Sequence, residues 1–175
     1  MREAAEDLLP EPVRSRRLEF WLPIAIVALD QATKAIVRAR LPLHTSVTVI
    51  PGLLDFTHVR NTGAAFGILN TADFPYKTVV IACIALAALG SVGWYAAGLA
   101  HDQRLARVGL ALIIGGAAGT LIDRVAVGSV VDFVDVYWRG YHFWAFNVAD
   151  SAITCGAGIM ILDALGVGTN VSKTR

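Results

Sequence analysis

Residues 130–150 read VVDFVDVYWRGYHFWAFNVAD. Three carboxylates, Asp132, Asp135 and Asp150, stand here with Asn147 among valines and aromatics. Long apolar runs precede and follow the stretch, so its meaning depends on whether those runs lie in a bilayer. An Asp at membrane depth costs about 2.5 to 3.5 kcal/mol on insertion scales and marks a functional site by default. Asp132 and Asp150 are therefore the candidate catalytic pair, and the rest of the chain is read for its bearing on them.

The composition favours the bilayer. The chain has 175 residues, 55% hydrophobic and 17% charged, where a soluble domain carries about 25% charged residues. The deficit is concentrated in four apolar runs, which implies an integral membrane protein. The net charge of +1 comes with no basic run interleaved with aromatics, so nucleic acid is not an expected partner. Cys83 and Cys155 lie inside apolar runs and read as small buried hydrophobes. His44, His58, His101 and His142 are scattered. No Cys/His spacing suggests zinc, and neither a metal nor a cofactor is expected.

Before the central stretch, residues 1–17 are polar, with Arg14, Arg16 and Arg17 next to the first apolar run, and read as a disordered cytoplasmic tail. A first span is expected from Leu18 to Val37, about 30 Å of helix. Its far end carries Asp30 and Lys34 at i, i+4, which suit a helix-end salt bridge at the membrane interface. Residues from about 40 to 70 change character. TSVTVIPGLLDFTHV is rich in β-branched residues around a Pro51–Gly52 turn signal and predicts a small β platform outside the bilayer. The small residues of RNTGAAFG, residues 60–67, let another backbone come close. A second span, Thr78 to Ala100, has no charge. A third, Val108 to Ile122, holds Gly115, Gly116 and Gly119 at spacings that allow close helix packing. Thr120 lies one turn before Arg124. A fourth span is expected from Phe143 to Leu162, with Asn147, Asp150 and Thr154 as a polar stripe and Asp150 about two turns in. Residues 166–175 form a short polar tail.

Four spans put both termini on one side. Eight Lys/Arg fall on that side and seven on the other. The three arginines beside the first span tip both termini toward the cytoplasm. Asp30, Arg124, Asp150 and Asp132, the last in a loop joining spans three and four, then gather toward the outer face.

Two carboxylates in one site share a proton near neutrality. The ionised one activates water while the protonated one hydrogen-bonds the scissile carbonyl. Two other readings stand beside this one at this stage: buried ion pairs with Arg124 and Arg139, and an ion or proton path. Asp135 and Asp123 rival Asp132, and periodicity does not choose among them.

The motifs DQATK (Asp30–Lys34), RNTGAAFG (Arg60–Gly67), GGAAGTLIDR (Gly115–Arg124), GSVVDFVDV (Gly128–Val136) and AFNVADSAI (Ala145–Ile153) closely resemble the lipoprotein signal peptidases, or signal peptidase II. The resemblance covers about Leu18 to Leu165. It implies an all-α integral membrane fold, with a four-helix domain over 18–165 and a small extracytoplasmic β platform. It further implies a cofactor-free, monomeric aspartyl protease of the bacterial inner membrane, with both termini cytoplasmic and its site toward the outer face. The implied substrate is a prolipoprotein carrying diacylglyceryl-Cys, cut immediately before that Cys, with membrane lipid as the other partner. The family's catalytic positions fall on Asp132 and Asp150, and its supporting or substrate-contacting residues on Asp30, Asn61, Arg124 and Asn147. Thr120 departs from the family's Asn, lacking the amide's second donor and its reach.

Overall fold

The computed structural model describes residues 14–63, 69, 72, 74–100 and 103–166. Helix α3, Arg104–Val127, packs against α1 (Arg14–Arg40), α2 (Lys77–Ala97) and α4 (Val148–Ala164). Its glycines make this possible. A Cβ on Gly115 would meet Pro23 Cα of α1 at 2.9 Å, and one on Gly116 would collide with the Ala149 carbonyl of α4. The sequence pattern predicted close packing, and the partners are α1 and α4.

Three of the helices, over Phe20–Arg40, Lys77–Ala97 and Arg104–Val127, are long and apolar enough to cross a bilayer. Exposed aromatics mark two levels along α2. Tyr76 is 80% exposed at one end and Trp94 86% at the other, about 27 Å apart along the axis, close to one hydrocarbon thickness. α4 has 17 residues, about 25 Å. It starts later than the Phe143 expected, because the chain up to Phe146 is held against the sheet by backbone hydrogen bonds to Phe133 and Val134. α1 begins by Arg14, inside the expected tail. The rest of that tail, residues 167–175 at the other end, and the second half of the RNTGAAFG close-approach segment, residues 64–67, lie outside the described residues.

The expected β platform is half of a larger sheet. Strands β1 (Ser46–Ile50) and β2 (Leu54–Asn61) pair through the Pro51–Gly52 turn, Gly52 adopting φ 79°. β3 (Val130–Trp138) and β4 (Tyr141–His142) complete an antiparallel order β1-β2-β3-β4. Asp132 therefore sits on a strand and not in the expected loop. Two acids within nine residues mask the strand, since Asp is depleted in sheets. The period of two still operates: Val131 and Phe133 are buried with Val37 and pack on Leu41 and Val148, while Asp132 between them faces away.

One irregularity decides what faces Asp132. Phe56 pairs with Val134 but Val59 pairs with Asp132, so β2 carries one extra residue at Thr57–His58. A bulge of this kind flips every later side chain to the opposite face. Asn61, two residues past Val59, is thereby brought to the Asp132 side. The bulge is held by buried His58, whose Nδ1 lies 2.8 Å from the Leu41 carbonyl.

Candidate active site

A cleft of about 570 Å³ opens between the sheet, α3 and the start of α4. Asn61, Thr120, Arg124, Asp132 and Asp150 line it, with Phe143, Trp144, Phe146 and Ile153 among its apolar walls. Five of the seven expected site residues thus share one cavity.

Asp132 is 4% exposed. Its Oδ1 accepts from Asn147 Nδ2 at 2.7 Å and its Oδ2 from Asn61 Nδ2 at 3.2 Å. Asn147 is the N-cap of α4 and forms a capping box with Asp150. Asn147 Oδ1 accepts from Asp150 N at 3.0 Å, and Asp150 Oδ2 accepts from Asn147 N at 3.2 Å. One Asn side chain therefore touches Asp132 with its amide and fixes Asp150 with its carbonyl. The expected helical stripe is corrected by this arrangement. Asp150 lies in the first turn of α4, not two turns deep, because the helix starts only after Asn147. There it also meets the positive end of the helix dipole.

Burial pushes the Asp132 carboxyl up to about 7, with the neighbouring Asp150 charge adding to the rise; hydrogen bonds from Asn147 and Asn61 oppose it. Arg124 is 9% exposed, within electrostatic reach of Asp132, Asp150 and Asp123, and its buried Nη1 has no hydrogen-bond partner among the described residues. Thr120 donates its hydroxyl to the Ala117 carbonyl at 3.0 Å, so its proton is not directed into the cleft.

Asp30 lies beneath the cleft rather than in it. It and Lys34 form the expected salt bridge, but both are fully buried inside the bundle rather than at a helix end facing the interface. Lys34 Nζ sits 2.8 Å from Asp30 Oδ2 and 2.6 Å from Asp123 Oδ2. Gln31 Nε2 donates to both carboxylates and to the Gly119 carbonyl. Asp30 Oδ1 accepts from Ala149 N at 3.0 Å, satisfying a free donor in the first turn of α4. Sequence reasoning noted the Asp30–Lys34 spacing but missed that Asp123 closes the cluster. Nothing in the spacing connects two helices.

The rival carboxylates have partners of their own. Asp123 is engaged by Lys34, with Arg38 Nη1 at 3.6 Å. Asp135 pairs with His142 at 2.8 Å, whose ring stacks on Tyr137. The cysteines are not buried: Cys83 is exposed on α2, and Cys155 is exposed and lines the cleft. No group of three or more His, Cys, Asp or Glu side chains among the described residues is arranged to hold a metal ion.

The Signal peptidase (SPase) II family model matches residues 22–166. A lipoprotein signal peptidase of Geobacter metallireducens is 46% identical over 139 residues, covering 79% of this chain and 85% of that protein. One from Shewanella piezotolerans is 40% identical over 158 residues, covering 89% and 90%. Two solved bacterial membrane enzymes, both obtained by the in meso method, match with a TM-score of 0.75 each at 33% and 34% identity. The matches cover 90% and 84% of this chain and 93% and 92% of theirs. Together with its apolar helices, this likeness makes the chain a multi-pass membrane protein. The matched region runs from the first helix through α4 and takes in the whole cleft: the chain belongs to the signal peptidase II family.

Proposed function

We propose that this chain removes the signal peptide from bacterial prolipoproteins as an aspartic-type endopeptidase, cutting before a Cys that carries diacylglycerol. Family membership supports a peptidase acting on prolipoproteins. The observation that carries the aspartic mechanism is the pair of carboxylates, Asp132 and Asp150, lining one cleft and joined through Asn147.

The pair holds one proton between two carboxyl groups. The ionised member takes a proton from water, and the resulting hydroxide attacks the scissile carbonyl carbon. The protonated member hydrogen-bonds the carbonyl oxygen as negative charge develops there. The peptide C–N bond then breaks as the nitrogen receives a proton from the pair, which returns to its starting state. The buried Arg124 cation stabilises the charged form of this group. The aromatic walls suit a substrate whose acyl chains remain in lipid while its peptide reaches a wet site.

In this reading α4 is a fourth crossing, both termini are cytoplasmic, and the cleft opens at the outer face of the inner membrane. The enzyme acts as a monomer, with Asn61, Arg124 and Asn147 as cleft support, Asp30 behind α4, and Thr120 as wall. Asp132→Asn and Asp150→Asn are each expected to insert, fold and lose about 10² to 10⁴ in rate, accumulating uncleaved diacylglyceryl prolipoprotein. Normal processing by either folded variant refutes the mechanism, and a loss of the same size in Asp135→Asn reopens the assignment.

A further inference from the structure

The β3–β4 hairpin presents two unlike faces. Cross-strand partners share a face, so the register Tyr137↔His142 and Trp138↔Tyr141 puts these pairs on opposite sides. The Tyr137 side is occupied. Tyr137 Oη accepts from Gly52 N at 3.1 Å, His142 stacks on its ring, and Asp135 pairs with His142. The other side carries Trp138, Tyr141 and Phe143, which are 67%, 84% and 55% exposed. At the tip, exposed Arg139 lays its guanidinium carbon 4.9 Å from the centroid of the Trp138 ring.

We propose that this aromatic tip is a lipid anchor, with Trp138 and Tyr141 seated in the outer interfacial layer and Arg139 on a phospholipid phosphate. Amphipathic aromatics favour that layer, and a guanidinium matches phosphate. Three observations point to bulk lipid as the occupant. The hairpin is continuous with the membrane helices: β3 leaves α3 through Gly128, whose carbonyl accepts from Thr78 Oγ1 at the outer end of α2. β4 leads into α4 through Phe143 and Trp144, the latter also 63% exposed. Third, Arg139 takes φ 50° and Gly140 φ 82° at the turn. This is a left-handed pair that Asn-Gly suits and Arg rarely adopts, so turn geometry does not account for the cation. The occupant is a phosphate-bearing lipid; the diacylglyceryl group of the proposed substrate has no phosphate. Because β3 carries Asp132 six residues before Trp138, the anchor fixes the depth of the cleft beneath the headgroups.

The inference rests on the outer-face orientation given above, and one experiment separates the two. Single-Trp variants retaining Trp138 or Trp94 are placed in phosphatidylcholine vesicles, with and without phosphatidylglycerol, and quenched by brominated lipid or aqueous iodide. Lipid quenching of Trp94 checks insertion by itself. Its absence overturns the membrane reading and the anchor with it. With Trp94 quenched, the anchor predicts lipid quenching of Trp138 without substrate, strengthened by phosphatidylglycerol. Iodide quenching alone, or lipid quenching that appears only on adding prolipoprotein, overturns it. Arg139→Asn improves the turn while removing the charge, so it is expected to fold. It should reduce the phosphatidylglycerol-dependent shift in the shielded Trp138 population about fivefold, and an unchanged shift overturns the phosphate contact. If the triple Trp replacement does not fold, Arg139→Asn in the otherwise unaltered chain decides the matter. Its KM should rise in phosphatidylglycerol vesicles and stay unchanged in detergent, and equal KM in both refutes the anchor.

Discussion

Asp132 owes its chemistry to the groups that bury and restrain it. Its carboxyl is raised from the ordinary Asp range to about 7, so in the proposed mechanism the pair keeps its proton below that pH and loses it above. The value of kcat/KM should therefore fall as pH rises through about 7, by about tenfold per unit well above it. Asn61 donates to Asp132 Oδ2 and holds the carboxyl down. Asn61→Ala should move the alkaline limb of the pH–rate profile upward; a limb that stays or moves down removes Asn61 from this role. The residues that the structure gathers at the cleft were singled out in sequence, Asp132, Asp150 and Asn147 from the residues themselves and Asn61 through the family resemblance. Their relation was not. That Asn61 faces Asp132 depends on one extra residue in β2, which no pattern in LDFTHVRN announces.

Among the elements, α3 has the least freedom. Gly116 lies against the Ala149 carbonyl, one residue before Asp150, whereas Gly109 lies 2.9 Å (from an added Cβ) from the Gly156 carbonyl, six residues past Asp150 along α4. Each Gly→Ala change should destabilise by about 1 to 3 kcal/mol through overpacking, read as the thermal midpoint in detergent. Gly116→Ala should also lower kcat by displacing the first turn of α4, while Gly109→Ala should spare kcat in the protein that remains folded. Equal kcat loss in both would deny that the site depends on this local fit. The helices were legible because hydrophobic runs of this length have few alternatives. The start of α4 was misplaced because Phe143 to Phe146 are as apolar as the helix that follows. β3 was missed because its two acids, Asp132 and Asp135, are three residues apart and interrupt the alternation, beside runs that already read as membrane.

Across the whole molecule, a buried charge cluster ties α1 to α3 beneath the cleft. Lys34 neutralises both Asp30 and Asp123, and Asp30 reaches on to α4 through Ala149 N. Lys34→Met leaves buried Asp30 without its cation and Asp123 with Arg38 alone, and should cost about 3 to 5 kcal/mol, seen as loss of folded protein or a much lower thermal midpoint. A variant as stable as the parent would show that the cluster does not hold the bundle. Sequence spacing revealed the pair within α1; the third member comes from the helix packing that the glycines of α3 allow.

The cap at Asn147 also bears on when the proposed dyad comes into being. The helix that supplies Asp150 follows α1 to α3 and β3 in the chain, and the side chain that starts it is the one that holds Asp132. A half-made chain, with α1 to α3 inserted and β3 exposed, has one carboxylate and no partner for it. Seating α4 brings the proposed dyad together in the same step that packs this helix on α3. In the proposed mechanism, docking of α4 and assembly of the site are therefore one event, and a chain whose α4 is undocked is expected to be silent.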